Sequence, residues 1–196
     1  MKNLIASSMI LLLLFSANSF SQNWINAGNF PSDYFSGYQG GHGVAVDPDG
    51  KLWVQFYDAS EYVYDPISDT WIPCRAVYVF NPDGTPASFS PITTVTVNGI
   101  TDLLTASNRG LRVDNNGNIL VSSWDKLYRI NYQTGEGMNK AQPIPGMTLT
   151  AAAASDAGDI FIAPVLPGLP ILMLDTDFNF LGYAVDATVG YSRSLE

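Results

Sequence analysis

The chain has 196 residues, 46% of them hydrophobic and 12% aromatic. Only 14% are charged, against ~25% in an average globular protein, which excludes a disordered or coiled-coil chain. Its 18 acidic residues outnumber 9 basic ones for a formal net charge of −9, and that sign excludes the basic face a nucleic-acid partner demands.

At the N-terminus, Lys2 precedes an apolar run over 4–15, and small polar residues follow over 16–19 and at Ser21. The run falls short of the ~20 residues a membrane helix needs. It predicts a secretory signal peptide over 1–21, cleaved near Ser19 or Ser21, and hence a secreted protein, extracellular or periplasmic. No Cys follows the run to carry a lipid anchor, and no second run of that length predicts a membrane span in the mature chain. Residues 22–42 form a lead-in.

Fifteen of the acids are Asp and three are Glu, alongside 17 Gly and 12 Pro. Asp disfavours helix interiors and favours turns, so this mixture predicts short strands and tight turns. The stretch 43–54 (Gly-Val-Ala-Val-Asp-Pro-Asp-Gly-Lys-Leu-Trp-Val) returns at 110–121 (Gly-Leu-Arg-Val-Asp-Asn-Asn-Gly-Asn-Ile-Leu-Val) and more weakly over 151–162. Each copy is a strand, a turn closing on Gly, and a second strand, which is a β-hairpin signature. A second unit follows each hairpin, at 77–84, 127–135 and 172–177. Two hairpins per repeat make the four-stranded blade of a β-propeller, and the 41 residues from Gly117 to Gly158 match the ~40–45 of propeller blades.

The predicted blades run over about 43–109, 110–150 and 151–192, with the next starting at Arg193. The first carries an insertion of roughly 26 residues over the blade period, part of it the strand and turn at 62–71. Residues 191–196 align with 107–112, so the expectation is a fragment of a longer propeller, stopping inside the first strand of a fourth blade. Asp47-Pro48-Asp49-Gly50 offers two carboxylates, but an EF-hand needs a twelve-residue loop ending in Glu, and a hairpin turn is the better reading. Cys74, the only cysteine, reads as a small apolar residue.

The 43–54 motif resembles the NHL-type repeat, and the paired hairpins resemble the wider six-bladed family of gluconolactonase and regucalcin-like proteins. The resemblance covers about 43–196. It implies an all-β, six-bladed β-propeller of four-stranded antiparallel blades, incomplete in this chain. Residues 62–71 also resemble a kelch strand and turn, which occurs once.

In a propeller the innermost strand of each blade lines the channel. Aligning the repeats on Gly50, Gly117 and Gly158 puts His42, Arg109, Thr150 and Arg193 at equivalent strand mouths, with Tyr57-Asp58 and Trp124-Asp125 returning to the same face. The expected ligand-binding rim is therefore His42, Tyr57, Asp58, Arg109, Trp124, Asp125 and Arg193, suited to a small anionic or carbohydrate-like ligand or to a protein or peptide partner. The two arginines equally suit pairing with Asp58, Asp125 or carbonyls to lock neighbouring blades. The resemblance implies a divalent metal such as Ca²⁺ held by Glu, Asn and Asp. Arg109 and Arg193 stand where its Asn ligands would fall, and a guanidinium cannot deprotonate to ligate a metal, which disfavours any cofactor. His42 has no nucleophile or orienting carboxylate at a fixed spacing, and Gly-x-Ser-x-Gly, Walker and His-Glu-x-x-His motifs are lacking. No catalytic residue is assigned. The expected function is an exported binding or interaction module, with a hydrolase or lactonase of the gluconolactonase-like family as the alternative.

Overall fold

A computed structural model describes Phe30, residues 41–192 and Leu195. The expected signal peptide, nearly all of the lead-in and Arg193 lie outside the described residues.

The described chain is built of fifteen strands: β1 (Gly41–Val46), β2 (Leu52–Phe56), β3 (Glu61–Asp65), β4 (Thr70–Cys74), β5 (Val77–Phe80), β6 (Thr94–Val97), β7 (Ile100–Leu103), β8 (Asn108–Val113), β9 (Ile119–Ser123), β10 (Lys126–Ile130), β11 (Gly137–Ala141), β12 (Ala153–Ala154), β13 (Ile160–Ile162), β14 (Ile171–Leu174) and β15 (Phe180–Val185). Strands β8 to β11 and β12 to β15 form two antiparallel meanders of four, while β1, β2 and β5 form a sheet of three. In that first blade the outer position is held only by isolated bridges, Phe80 to Pro86 and Val77 to Ile92. The innermost strands β1, β8 and β12 pack side by side, so successive sheets stack face to face as propeller blades do. No helix among the described residues is long and apolar enough to cross a membrane.

The turn that opens each blade explains the repeat. Asp47 Oδ1 accepts the backbone N–H of Asp49 at 3.0 Å and of Lys51 at 2.9 Å, and Asp114 Oδ1 does the same for Asn116 and Asn118. These Asx turns consume the carboxylates that a calcium loop would need. Gly50, Gly117 and Gly158 follow at φ of 79°, 85° and 95°, a region that favours glycine. Glycine has a second use here. A Cβ on Gly117 would lie 2.3 Å from Pro48 Cγ of the preceding blade, and one on Gly158 would lie 3.1 Å from Asn115 Nδ2. Backbones also meet closely between inner strands, where a Cβ on Gly43 would fall 2.7 Å from Leu111 N.

Alternation along the strands fills two inter-blade cores. Trp53, Val77, Val79, Leu111, Tyr128 and Ile130 belong to the one between the first and second blades, and Leu120, Leu127, Ile160, Ile162, Leu172 and Leu174 to the next. Buried charge locks the second joint. Arg129 Nε lies 2.7 Å from Asp114 Oδ2, both side chains nearly inaccessible, its Nη1 donates to the Thr176 carbonyl, and its guanidinium stands 4.6 Å from the Phe178 ring. At the first joint Lys51 sits 5.6 Å from the Tyr132 ring.

The insertion in the first blade is two hairpins. Strands β3 and β4 pair from Glu61↔Cys74 to Asp65↔Thr70, so the kelch-like stretch is a complete hairpin. Strands β6 and β7 turn at Asn98-Gly99, both with positive φ (51° and 75°), the backbone that two-residue hairpins of this sequence adopt. Cys74 is fully buried and reduced, against Val63 and Ile72.

Candidate functional site

The rim forms where the inner strands begin. In the pairing of β1 with β2 the register shifts between Gly41 and Gly43, and in that of β8 with β9 it shifts between Asn108 and Gly110. His42 and Arg109 thus occupy the extra position of equivalent β-bulges, a device that re-aims a side chain out of the ladder. Tyr57, just past β2, joins them. The His42 and Tyr57 rings are 4.7 Å apart, and the Arg109 guanidinium carbon is 5.8 Å from the Tyr57 ring. His42 and Arg109 line a cavity of ≈ 270 Å³ with Gly41, Val165 and Ser192.

Among the described residues the buried Arg109 Nε has no hydrogen-bond partner and the guanidinium forms no ion pair. Two more buried polar atoms without a partner, Gln55 Oε1 and Ser122 Oγ, lie at matching positions of the second strands, two residues below Tyr57 and Trp124. The pairing that locks blades belongs to Arg129 instead of Arg109. Likewise Arg75 holds the rim's backbone: its Nε donates to the Tyr57 carbonyl at 2.8 Å and its Nη1 to the Thr105 carbonyl.

The remaining expected residues separate. Asp125 is 9% exposed, and its Oδ2 accepts the Gln142 amide and the Gly146 N–H, each at 2.7 Å. Burial pushes this carboxyl up, but those hydrogen bonds outweigh it and hold it below the usual carboxylate range. Its role is to tie down the loop after β11. Trp124 is 43% exposed at a φ of 52°, its N–H donating to the Ser107 carbonyl and its own carbonyl accepting from Leu149. Asp58 is exposed. Thr150, aligned with His42 and Arg109, is fully buried, its hydroxyl donating to the Ala151 carbonyl at 3.2 Å.

Val165 and Ser192 complete the cavity and were not among the expected residues. The signal for Val165 is in the repeat: it stands seven residues after Gly158, as Trp124 does after Gly117 and Tyr57 after Gly50. The backbone repeats too. Val165 donates to Thr148 and accepts from Ser192, as Trp124 donates to Ser107 and accepts from Leu149.

No group of three His, Cys, Asp or Glu among the described residues is arranged to hold a metal ion, and Arg109 places a fixed positive charge in the cavity.

No family model matches the chain, and no curated protein matches it either. Solved structures do. A virginiamycin B lyase from Staphylococcus aureus superposes with a TM-score of 0.53 at 17% identity, over 78% of this chain and 43% of that one. A gluconolactonase from Xanthomonas campestris superposes with a TM-score of 0.51 at 15% identity, over 88% of this chain and 54% of that one. This chain thus spans about half the length of either protein. At such identities the likeness is one of fold, and the chain is accordingly a β-propeller of the architecture that these two proteins share.

Proposed function

We propose that the chain is an exported binding module whose rim cavity takes a small anionic ligand, a carboxylate or a carbohydrate-derived acid. One observation carries this reading: Arg109 lines the cavity, and its buried Nε has no acceptor among the described residues. A buried donor left unmade costs ~1–3 kcal/mol, and more when charged. An anion oxygen would recover that cost through a charge-assisted hydrogen bond. His42 lines the same cavity and supplies a second donor, and the exposed ring of Tyr57 beside it suits the apolar face of a sugar ring. Export rests on the leader-like segment 1–21.

The second reading is a hydrolase or lactonase, which the fold likeness to a gluconolactonase favours. Titration calorimetry against a panel of sugar acids and their lactones, with wild type and Arg109→Gln, separates the two. A saturable acid ligand, lost in Arg109→Gln at an unchanged unfolding midpoint, supports the binding module. Lactone turnover that EDTA abolishes supports the enzyme.

A further inference from the structure

The kelch-like stretch is a sequence motif that the rim leaves unused. Folded as the β3–β4 hairpin, it sorts its side chains by face, because successive residues of a strand point to opposite sides. One face carries Val63, Ile72 and Cys74 into a core shared with Val54, Phe56 and Tyr78 of the first sheet. The other carries Tyr62 and Tyr64 on β3, opposite Pro73 and Trp71 on β4. Tyr62, Tyr64 and Trp71 are 65%, 43% and 66% exposed.

The hairpin fixes these rings and keeps charge away from them. Tyr64 stands edge to face on Trp71, ring centres 5.9 Å apart, and its hydroxyl donates to Asp69 Oδ1. The other acids of the hairpin are engaged in the same way. Asp65 accepts the Ile67 N–H at 3.0 Å and the Ser68 hydroxyl at 2.6 Å, and Glu61 accepts the Tyr78 hydroxyl at 2.9 Å. No charged side chain stands at the four outer-face positions. Tyr62 and Trp71 sit diagonally across the strand pair, a spacing of ~7–8 Å, so a run of two or three linked pyranose rings reaches both.

Area and charge together select the partner of this face. Taking ~150–250 Å² for a whole aromatic side chain, the three rings leave roughly 250–450 Å² open. That is at most a little over half of the ~800 Å² per partner that a specific protein interface buries. An ionic polymer meets no opposite charge on the face, and the chain's formal net charge of −9 repels a polyanion. A narrow, neutral row of rings suits a linear chain of uncharged sugars, because the weakly positive C–H bonds of a pyranose face stack on the negative face of an aromatic ring. We propose that the outer face of the β3–β4 hairpin is a binding platform for a neutral polysaccharide. Tyr62 and Trp71 each stack on one sugar ring, and Tyr64 fixes Trp71. The platform is separate from the rim cavity and does not rest on the ligand assigned there.

Affinity electrophoresis of the full chain tests this, in native gels cast with hydroxyethyl cellulose, glucomannan or soluble starch, beside glycan-free gels and gels containing polygalacturonate. The expectation is that at least one neutral glycan retards the wild type and polygalacturonate does not. Trp71→Ala and Tyr62→Ala should each raise the apparent Kd roughly tenfold or more, whereas Trp71→Tyr, which keeps a ring, should retain most of the binding. Both side chains are exposed, and unchanged unfolding midpoints verify that the variants fold. Excess gluconate, a probe for the rim cavity, should leave the retardation unchanged, so that the platform and the rim succeed or fail separately. A wild-type chain that no neutral glycan retards, retardation that both alanine variants keep, or retardation that gluconate abolishes would overturn the proposal. Self-association in sedimentation velocity that Trp71→Ala abolishes would assign the face to a second copy and overturn it equally.

Discussion

Replacing Gly117 by Ala tests whether the repeated turn glycine serves the neighbouring blade as well as its own hairpin. Alanine at this position must hold a φ of 85°, which costs ~1–2 kcal/mol for an L residue. Its Cβ would also stand 2.3 Å from Pro48 Cγ and 2.9 Å from Pro48 Cδ. A proline ring cannot rotate away, so the blades must shift, at ~1–3 kcal/mol more. Gly117→Ala should therefore cost ~2–5 kcal/mol. Gly99 is the control: its φ is 75°, but nothing lies within 4 Å of its added Cβ. Gly99→Ala should cost only the backbone part. Urea unfolding followed by tryptophan fluorescence gives both values, and a cycle with Pro48→Ala should return a coupling of ~1–2 kcal/mol. Equal costs at 117 and 99 with no coupling would refute the idea that the turn glycine is a joint between blades.

Arg129→Met should destabilise by ~3–5 kcal/mol, because it strands the buried Asp114 carboxylate; adding Asp114→Asn should recover much of the loss in the same urea assay. Burial raises the Asp102 carboxyl, but hydrogen bonds and charge from Lys126 and Lys140 prevail and hold it below the usual range. Such a group stabilises above its unfolded pKa of ~3.9, and the contribution is lost as pH falls through the lower folded value. The unfolding midpoint of wild type should thus drop more steeply in acid than that of Asp102→Asn. Burial, aided by the charge of Glu61, pushes the Cys74 thiol up to about 11, so a thiol reagent at neutral pH should label Cys74 only after unfolding, and labelling of the native chain would contradict its place in the core.

The fold was legible in the sequence where local chemistry repeats. Asp47 and Asp114, each followed three residues later by glycine, mark the turn that opens a blade, and the consecutive apolar residues of 52–54 and 119–121 mark the strand beyond it. The Asn98-Gly99 hairpin carried an equally strong local signal, yet it lies in the insertion, where an alignment of repeats does not look. At the rim, equivalence in sequence brought His42, Tyr57 and Arg109 to one place because each depends on a repeated bulge or strand end. It failed to set Tyr57 apart from Asp125, whose direction is set by the loop at 142–146, where no repeat is visible. Nor does sequence reveal which arginine joins blades. Arg109 and Arg129 both sit near repeated aspartates, and only packing carries Arg129 from Asp114 of its own blade to the Thr176 carbonyl and Phe178 ring of the next.

The most direct test of the rim cavity is the Arg109 Nε–H itself. The chain has five arginines, so the side-chain N–H resonances in an ¹⁵N-labelled sample are few, and Arg109→Lys identifies the one in question. Titrating a sugar acid such as gluconate should move that resonance downfield in a saturable way, with smaller movements at the others, as a buried guanidinium gains an oxygen acceptor. A resonance that stays fixed while the ligand binds elsewhere, or that shows a saturated hydrogen bond before any ligand is added, would contradict the account.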